Sequence, residues 1–266
     1  ILERHAETAA DMTIATIPVT ARDASALGIM QTNGEGRITR FVEKPKDAAV
    51  LDSLKIDPAS HPRLGLQPGA DLFLASMGIY VFNRAVLAKL LEGTQTDFGK
   101  HIIPGAIANH RVSSHIFQGY WEDIGTIKAF YDANLSLAGP NPPFDFNSPA
   151  APIYSRPRFL PPTRLADTVV KNSLIADGSQ VGPRCVIENS VIGLRCRIGR
   201  NVTIRNSILM GCDYYETPDL ITSHLANGLP PLGVGDGTYI DGAIIDKNCR
   251  IGRNVLRAIM ESGRKD

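Results

Sequence analysis

The segment around the single tryptophan, Trp121, places an acidic residue where it could hold a metal ion. Asp123 lies two residues after Trp121 and two before Gly125, downstream of an apolar strand predicted over residues 112–118. A carboxylate on a tight turn after a strand is suited to a hard divalent cation. The alternative is an acid that complements the dipole of a following helix, for which Thr126 is a suitable cap.

A second candidate lies upstream, in the run Phe-Val-Glu-Lys-Pro-Lys at residues 41–46. The run is predicted to end a strand, because Pro45 cannot continue the pairing. Glu43 and Lys44 are adjacent, so in a strand they point to opposite faces. At a strand end beside a pocket, the acid could bind sugar hydroxyls and the compact ammonium could bind a phosphate. The same run is also typical of a solvated turn.

Together these segments resemble one family, ADP-glucose pyrophosphorylase (glucose-1-phosphate adenylyltransferase). The resemblance covers the chain up to about Val255, and its later motifs are most similar to the plant and cyanobacterial branch. The further motifs occur in the family's order. They are residues 75–82 (Ala-Ser-Met-Gly-Ile-Tyr-Val-Phe), 97–100 (Asp-Phe-Gly-Lys), 102–104 (Ile-Ile-Pro), 159–163 (Phe-Leu-Pro-Pro-Thr), 210–217 (Met-Gly-Cys-Asp-Tyr-Tyr-Glu-Thr) and 244–248 (Ile-Ile-Asp-Lys-Asn).

The resemblance implies nucleotidyl transfer, in which glucose 1-phosphate attacks the α-phosphorus of ATP to give ADP-glucose and pyrophosphate. Such a step depends on positioning and charge neutralisation, and Mg²⁺ would bridge the phosphates. Asp123 matches the family's catalytic, metal-binding acid, and Lys44 matches the catalytic lysine that binds the sugar phosphate. The other substrate-binding residues implied by the resemblance are Gly28, Glu43, Ser76 and, as a weaker match, Asp97.

The family's members also begin with a glycine-rich loop that carries an arginine and cradles the nucleotide phosphates. A Gly-Asp pair further on supplies another metal-binding carboxylate. Neither feature occurs in residues 1–138 of this sequence. We therefore expect the chain to be the C-terminal, sugar-binding part of the enzyme, and to be inactive in isolation, because most contacts to ATP would belong to the other half.

Composition argues against several other classes of protein. The net charge is +1, which gives no electrostatic reason to expect a nucleic acid or an anionic membrane as a partner. No run of 18 or more apolar residues predicts a membrane span. We expect a cytoplasmic location, or a plastid one for a plant protein. Four cysteines without a close Cys-x-x-Cys pair argue against zinc, and Cys185, Cys196 and Cys249 are predicted to be small, reduced structural side chains.

The chain is predicted to form two domains. Eight prolines between residues 140 and 162 exclude a helix or a central strand there, so residues 139–165 are assigned as a linker. Residues 1–138 alternate between helical and strand patterns, which predicts an α/β domain, and the resemblance implies part of a Rossmann-like nucleotidyltransferase domain.

The predicted elements of the first domain include a hairpin that turns at Asn33-Gly34-Glu35-Gly36. The others are a helix over residues 1–10, a strand over 13–19, a loop over 47–71, a strand over 74–82, a helix capped by Asn83, and, after Thr126, a helix with Ile127, Phe130, Tyr131 and Leu135 at helical spacing.

Residues 166–266 contain a repeat. The pair Asn-Ser recurs every seventeen residues, at Asn172, Asn189 and Asn206, and apolar residues recur every six positions between these pairs. This pattern is typical of a parallel β-helix with three short strands per coil, and the resemblance implies a left-handed one. Residues 213–231 are predicted to be an insertion with a short helix near 220–226. Taken alone, such a repeat is also typical of acyltransferases and structural trimers.

The family's members are tetramers controlled by small anionic metabolites, so the resemblance implies a homo- or hetero-tetramer. Arg195, Arg158 and Lys247 are the candidate ligands of such an anion, with Arg195 expected to point outward from a coil corner. Each is also typical of a solvated solenoid face. Two other functions stay open: a non-catalytic regulatory or assembly subunit of the same enzyme, and a pyrophosphorylase for another sugar phosphate, such as mannose.

Overall fold

The computed structural model describes residues 1–62, 71–149 and 152–258. The chain divides into two compact units between Trp121 and Glu122. In the first unit the helices are α1 (Leu2–Glu7), α2 (Ala21–Ala24), α3 (Ala48–Asp52), α4 (Arg84–Leu90) and α5 (Ile103–Asn109). Its strands are β1 (Met12–Thr20), β2 (Gly28–Thr32), β3 (Ile38–Glu43), β4 (Leu72–Phe82) and β5 (Val112–Ile116).

The strands described in the first unit form one sheet in the order β3-β2-β4-β1-β5. Strand β1 runs antiparallel to β4 and parallel to β5. Both faces are covered, so burial is continuous rather than alternating over residues 12–16 of β1 and 73–76 of β4. One face packs in a cluster around Met12, Met30 and Leu74, and the other in a cluster around Ile29 and Phe73.

The predicted hairpin is confirmed as the antiparallel pair β2–β3. The side chain of Asn33 fixes its turn, because Oδ1 accepts hydrogen bonds from the backbone N–H groups of Glu35 and Arg37, both at 3.0 Å. Gly36 has φ +82°, a left-handed conformation that glycine adopts without strain. The hairpin therefore sets the register that brings Gly28 opposite Glu43.

Three of the predicted elements need correction. The first helix ends at Glu7 rather than residue 10, since Ala9 has φ +43°. The segment predicted as a loop over 47–71 contains α3, which Asp47 caps by accepting from the N–H groups of Ala49 and Val50; residues 63–70 lie outside the described chain. Asn83 precedes α4 as predicted, but its side chain donates to the Ala10 carbonyl oxygen at 3.2 Å instead of capping.

In the described residues of the second unit, the helices are α6 (Ile127–Ala138) and α7 (Pro218–Ala226). Its strands are β6 (Arg164–Leu165), β7 (Thr168–Lys171), β8 (Leu174–Ile175), β9 (Gln180–Val181), β10 (Cys185–Glu188), β11 (Val191–Ile192), β12 (Arg197–Ile198), β13 (Thr203–Arg205), β14 (Ile208–Leu209), β15 (Gly233–Val234), β16 (Tyr239–Asp241), β17 (Ile244–Ile245), β18 (Arg250–Ile251) and β19 (Leu256–Ala258). Among the described residues of both units, no helix combines the length and apolarity needed to cross a membrane.

These strands form three parallel sheets, in the orders β19-β16-β13-β10-β7, β17-β14-β11-β8 and β18-β15-β12-β9-β6. Successive strands of the chain lie in successive sheets, so each coil contributes one strand to each face. The residues at six-residue spacing point inward and form one core, which includes Val181, Ile187, Ile192, Ile198 and Ile204. The predicted β-helix is therefore confirmed, as is the helix in the insertion, which is α7.

The Asn-Ser repeat has a structural explanation. Each asparagine occupies a coil corner in the left-handed conformation, with φ between +43° and +46°. The side-chain amides of Asn189 and Asn206 donate to the next coil, that of Asn189 to Asn206 Oδ1 at 2.8 Å. The following serine is buried at positions 190 and 207, and Ser190 Oγ accepts from the Ser207 N–H at 3.1 Å. These ladders satisfy polar groups at the corners and hold neighbouring coils in register.

Helix α6 belongs to the second unit, whereas the predicted domain boundary lies at residue 138. Thr126 caps it as predicted, because Oγ1 accepts from the Ala129 N–H at 3.1 Å. The helix packs on β11 and β14, and the Tyr131 hydroxyl donates to the carbonyl oxygen of Asn206. The described parts of the predicted linker that follow α6, residues 139–149 and 152–163, contain no helix or strand.

The four cysteines are free thiols, as predicted for Cys185, Cys196 and Cys249. Cys185, Cys196 and Cys212 are buried in the β-helix, and Cys249 is partly buried. Burial raises the pKa of the Cys196 thiol to about 12. A thiol with such a pKa stays protonated and packs as a small apolar side chain.

Candidate functional site

The end of strand β3 holds the first group of candidate residues. Glu43 is the last residue of β3 and lies opposite Gly28 on β2. A Cβ atom at Gly28 would lie 2.4 Å from Phe41 Cζ and 2.8 Å from Glu43 Oε2. No real Cβ makes contacts this short, so position 28 must be glycine for the ring and the carboxylate to occupy these places. The structure thus gives Gly28 a role in placing Glu43.

A turn distant in sequence meets the same carboxylate. Residues Phe98–Ile102 form a π-helical turn, and a Cβ at Gly99 would lie 2.5 Å from Glu43 Oε2. The Glu43 carboxylate therefore lies directly against the backbone of Gly99. Sequence analysis did not identify Gly99 as a site residue, although a glycine inside the Asp-Phe-Gly-Lys motif was a signal for a close approach.

Asp97 fixes this turn. Its Oδ1 accepts a hydrogen bond from the Lys100 N–H at 2.8 Å, and the Lys100 ammonium lies 3.8 Å from Oδ2. The hydrogen bond from the Lys100 backbone, together with the nearby positive charge, holds the pKa of the Asp97 carboxyl below its usual value. Asp97 is therefore ionised near neutral pH and supports the turn that carries Gly99.

Ser76 reaches the same turn through two aromatic rings. It is buried on β4, and its Oγ accepts from the Gly78 N–H at 3.3 Å and lies 3.4 Å from the Tyr80 hydroxyl. The Tyr80 ring stacks on Phe98, with 5.8 Å between centroids and 15° between planes. Thus the structure brings the candidates Gly28, Glu43, Ser76 and Asp97 into one chain of contacts in the first unit.

Lys44 differs from its predicted conformation. It is not in the strand but has φ +48°, so the alternation of faces expected for Glu43 and Lys44 does not apply. Its backbone N–H donates to the Leu27 carbonyl oxygen at 3.0 Å, and the following Pro45 is buried. Such a conformation costs a non-glycine residue roughly 1–3 kcal/mol, and strain of this kind is concentrated at functional sites. The exposed Lys44 side chain is attached directly beside Glu43.

Asp123 is the second residue of the second unit. It is exposed, in a segment without regular structure, and its Oδ1 accepts from the Gly125 N–H at 3.2 Å. Over residues 1–62, 71–149 and 152–258, no group of three or more His, Cys, Asp or Glu side chains could hold a metal. Mg²⁺ usually binds through one or two carboxylates, waters and substrate phosphates. A single accessible carboxylate such as Asp123 fits that mode.

Of the three basic residues predicted to bind an anion, the structure brings Arg195 and Lys247 together, since the charges of both act on the Asp213 carboxylate. The Arg195 guanidinium lies over the Tyr215 ring of the insertion, 5.9 Å from the centroid, and donates to the Cys212 carbonyl oxygen. Lys247 forms an ion pair with Asp213 at 2.8 Å. Arg158 is exposed and donates to the Arg156 carbonyl oxygen at 3.3 Å.

Comparison with protein-family models identifies the class of protein. Residues 1–139 match the model described as nucleotidyl transferase, and the chain belongs to that family. Residues 158–265 match the model described as the GLGC left-handed parallel β-helix domain, so the coils of the second unit are similar to that domain and left-handed. Together the two matches support a sugar-phosphate nucleotidyltransferase of the GLGC type.

Proposed function

We propose that the protein acts as a glucose-1-phosphate adenylyltransferase, which converts ATP and glucose 1-phosphate to ADP-glucose and pyrophosphate for the synthesis of glycogen or starch. One observation carries the proposal: the Glu43 carboxylate is held against Gly99 at the end of β3, with the strained Lys44 beside it. An acid and a lysine so placed suit the two ends of a sugar phosphate, whose hydroxyls need acceptors and whose phosphate needs a cation.

In this proposal each group of the first unit binds the sugar phosphate or positions a neighbour. Lys44 pairs with the phosphate, and Glu43 accepts from glucose hydroxyls. Ser76 and Asp97 support the turn at Gly99 through Tyr80 and the Lys100 N–H, respectively. Asp123 would hold Mg²⁺, which supplies charge neutralisation at the phosphates when bound. Chemistry of this kind depends on orientation rather than on a covalent intermediate.

An assay of pyrophosphate release by the full-length protein that the reading frame encodes tests the proposal. With ATP and Mg²⁺, glucose 1-phosphate should give a kcat/KM at least about tenfold higher than mannose 1-phosphate or galactose 1-phosphate, because sugars that differ at one hydroxyl lose a hydrogen bond to the site. A preference for mannose 1-phosphate would support a pyrophosphorylase for that sugar. No release with any sugar phosphate would support a regulatory or assembly subunit.

Substitution of Gly99 by Ala tests the position of Glu43. The new methyl group would meet Glu43 Oε2 at 2.5 Å, and a side-chain tip can move aside, so the fold should survive while the carboxylate is displaced. We expect the KM for glucose 1-phosphate to rise about tenfold, as for the loss of one hydrogen bond to a charged group, with the KM for ATP little changed. Steady-state kinetics measure both values.

Gly105→Ala is the matched control, because a Cβ at Gly105 on α5 meets nothing within 4 Å. It should leave both KM values unchanged. If Gly99→Ala also leaves the KM for glucose 1-phosphate unchanged while the protein stays folded, Glu43 does not bind the sugar.

A further inference from the structure

The acid proposed to hold Mg²⁺ belongs to the same unit as the β-helix. Asp123 follows Glu122, the first residue of the second unit. Its Oδ1 accepts from the Gly125 N–H, and Thr126 then caps α6. Because so short a segment joins the acid to a helix, the position of Asp123 depends on what holds the N-terminal part of α6.

One side chain bonds α6 to the coils. Tyr131 lies in the second turn of α6, and its hydroxyl donates to the Asn206 carbonyl oxygen. Burial, and after it the nearby charge of Asp241, raises the pKa of the Tyr131 hydroxyl, so the group remains a hydrogen-bond donor at neutral pH. Among the described residues, no other side chain of α6 has a hydrogen bond to the β-helix, since its remaining side-chain bonds lie within the helix.

The acceptor of this bond is itself held in place by the stack of coils. Asn206 lies at a coil corner with φ +45°, and its backbone N–H donates to the Glu188 carbonyl oxygen at 3.1 Å. Its side-chain amide accepts from Asn189 Nδ2 and donates to Asp241 Oδ1, both at 2.8 Å. Three hydrogen bonds to neighbouring coils therefore fix the residue that Tyr131 contacts.

We propose that Tyr131 is a positioning residue for Asp123, because its bond to Asn206 holds α6 in one place and orientation on the coils. The consequence for the metal rests on the proposed function, whereas the anchor itself does not. The packing of α6 on β11 and β14 restrains its distance from the coils, and a directional hydrogen bond also restrains sliding and rotation. A small displacement of a group that binds the metal is enough to lower the rate of a reaction that depends on orientation.

Hydrogen exchange of the 266-residue chain, measured by mass spectrometry, tests the anchor without metal or substrate. Tyr131→Phe keeps the ring and removes only the hydroxyl. The backbone N–H groups of residues 125–130 should exchange about three- to tenfold faster, as expected for the loss of one hydrogen bond between neutral groups. Those of strands β10 and β13 should exchange at the unaltered rate.

The Mg²⁺ dependence of pyrophosphate release by the full-length protein tests the consequence for Asp123. In Tyr131→Phe the Mg²⁺ concentration that gives half the maximal rate should rise by about threefold or more, with the KM for glucose 1-phosphate unchanged. A variant that is only less stable has fewer active molecules, so its rate falls at every Mg²⁺ concentration while the half-saturating concentration stays the same. That second pattern would overturn the positioning role.

Lys128→Ala is the matched control, because Lys128 lies on the same helix and pairs with Asp132 rather than with the coils. It should leave both the exchange rates and the Mg²⁺ dependence unchanged. Unchanged exchange in Tyr131→Phe would overturn the anchor whether or not the protein has the proposed activity, as would equal effects in Lys128→Ala. If the unaltered protein releases no pyrophosphate, the proposed function fails, and the exchange rates alone decide the anchor.

Discussion

Replacement of Asp123 by Asn should lower kcat by about 10² to 10³-fold, as does the loss of a single preorganised electrostatic group in other enzymes. Asparagine keeps the size and the acceptor oxygen that the Gly125 N–H uses at 3.2 Å, so the local turn should persist. It removes the negative charge that a hard cation such as Mg²⁺ requires. Because Asp123 is exposed, the change should have little effect on the free energy of unfolding.

The measurement is pyrophosphate release at saturating ATP and glucose 1-phosphate, over a titration of Mg²⁺. Glu122→Gln is the control, because it removes a charge from the neighbouring exposed residue. It should leave kcat within a factor of about two, since an exposed charge away from the reacting groups contributes little. An unchanged kcat for Asp123→Asn at high Mg²⁺ would support the alternative, in which Asp123 only complements the dipole of α6.

Replacement of Lys44 by Ala should raise the KM for glucose 1-phosphate by about ten- to a hundredfold, equivalent to roughly 1.5–3 kcal/mol for a hydrogen bond to a charged group. The KM for ATP should change much less. The backbone of Lys44 should keep its place, because its N–H bonds to the Leu27 carbonyl oxygen and Pro45 is buried, and neither depends on the lysine side chain. The expected loss is therefore one of binding.

Lys46→Ala is the control for this variant, because Lys46 is equally exposed and lies two residues further along. It removes the same charge from the surface and should leave both KM values unchanged. Equal increases in the KM for ATP and for glucose 1-phosphate in Lys44→Ala would contradict the proposed contact and would assign Lys44 a structural role.

The elements that depend on local chemistry were predictable from the sequence. The hairpin followed from the Asn-Gly turn, which is local. The coils followed from the spacing of Asn172, Asn189 and Asn206, because the seventeen-residue period equals the separation of the asparagines that bond between coils. Thr126 was recognised as a cap because its signal is also local. Asp47, a cap of the same kind, was overlooked because α3 has only five residues and no apolar periodicity that predicts a helix.

The arrangement of the site was harder to predict from the sequence, because it depends on contacts between residues distant along the chain. Glu43 and Gly99 meet only through the packing of β3 against the π-helical turn. The left-handed conformation of Lys44 opposes the local preference of a lysine after a strand, so only the structure could reveal it. Likewise, the position of Arg195 against Tyr215 depends on how the insertion returns to the coils.

The asparagine ladder shows how little the insertion disturbs the stack. Asn189 and Asn206 bond across seventeen residues of chain, whereas Asn206 bonds to Asp241 Oδ1 across thirty-five, at the same distance of 2.8 Å. The inserted residues leave the β-helix at one corner and return to it at the same corner. The next coil therefore keeps its register with the coil before it. The number of residues between two coils is thus independent of the structural repeat at this corner. The insertion can therefore change in length and composition during evolution while the coils keep their arrangement.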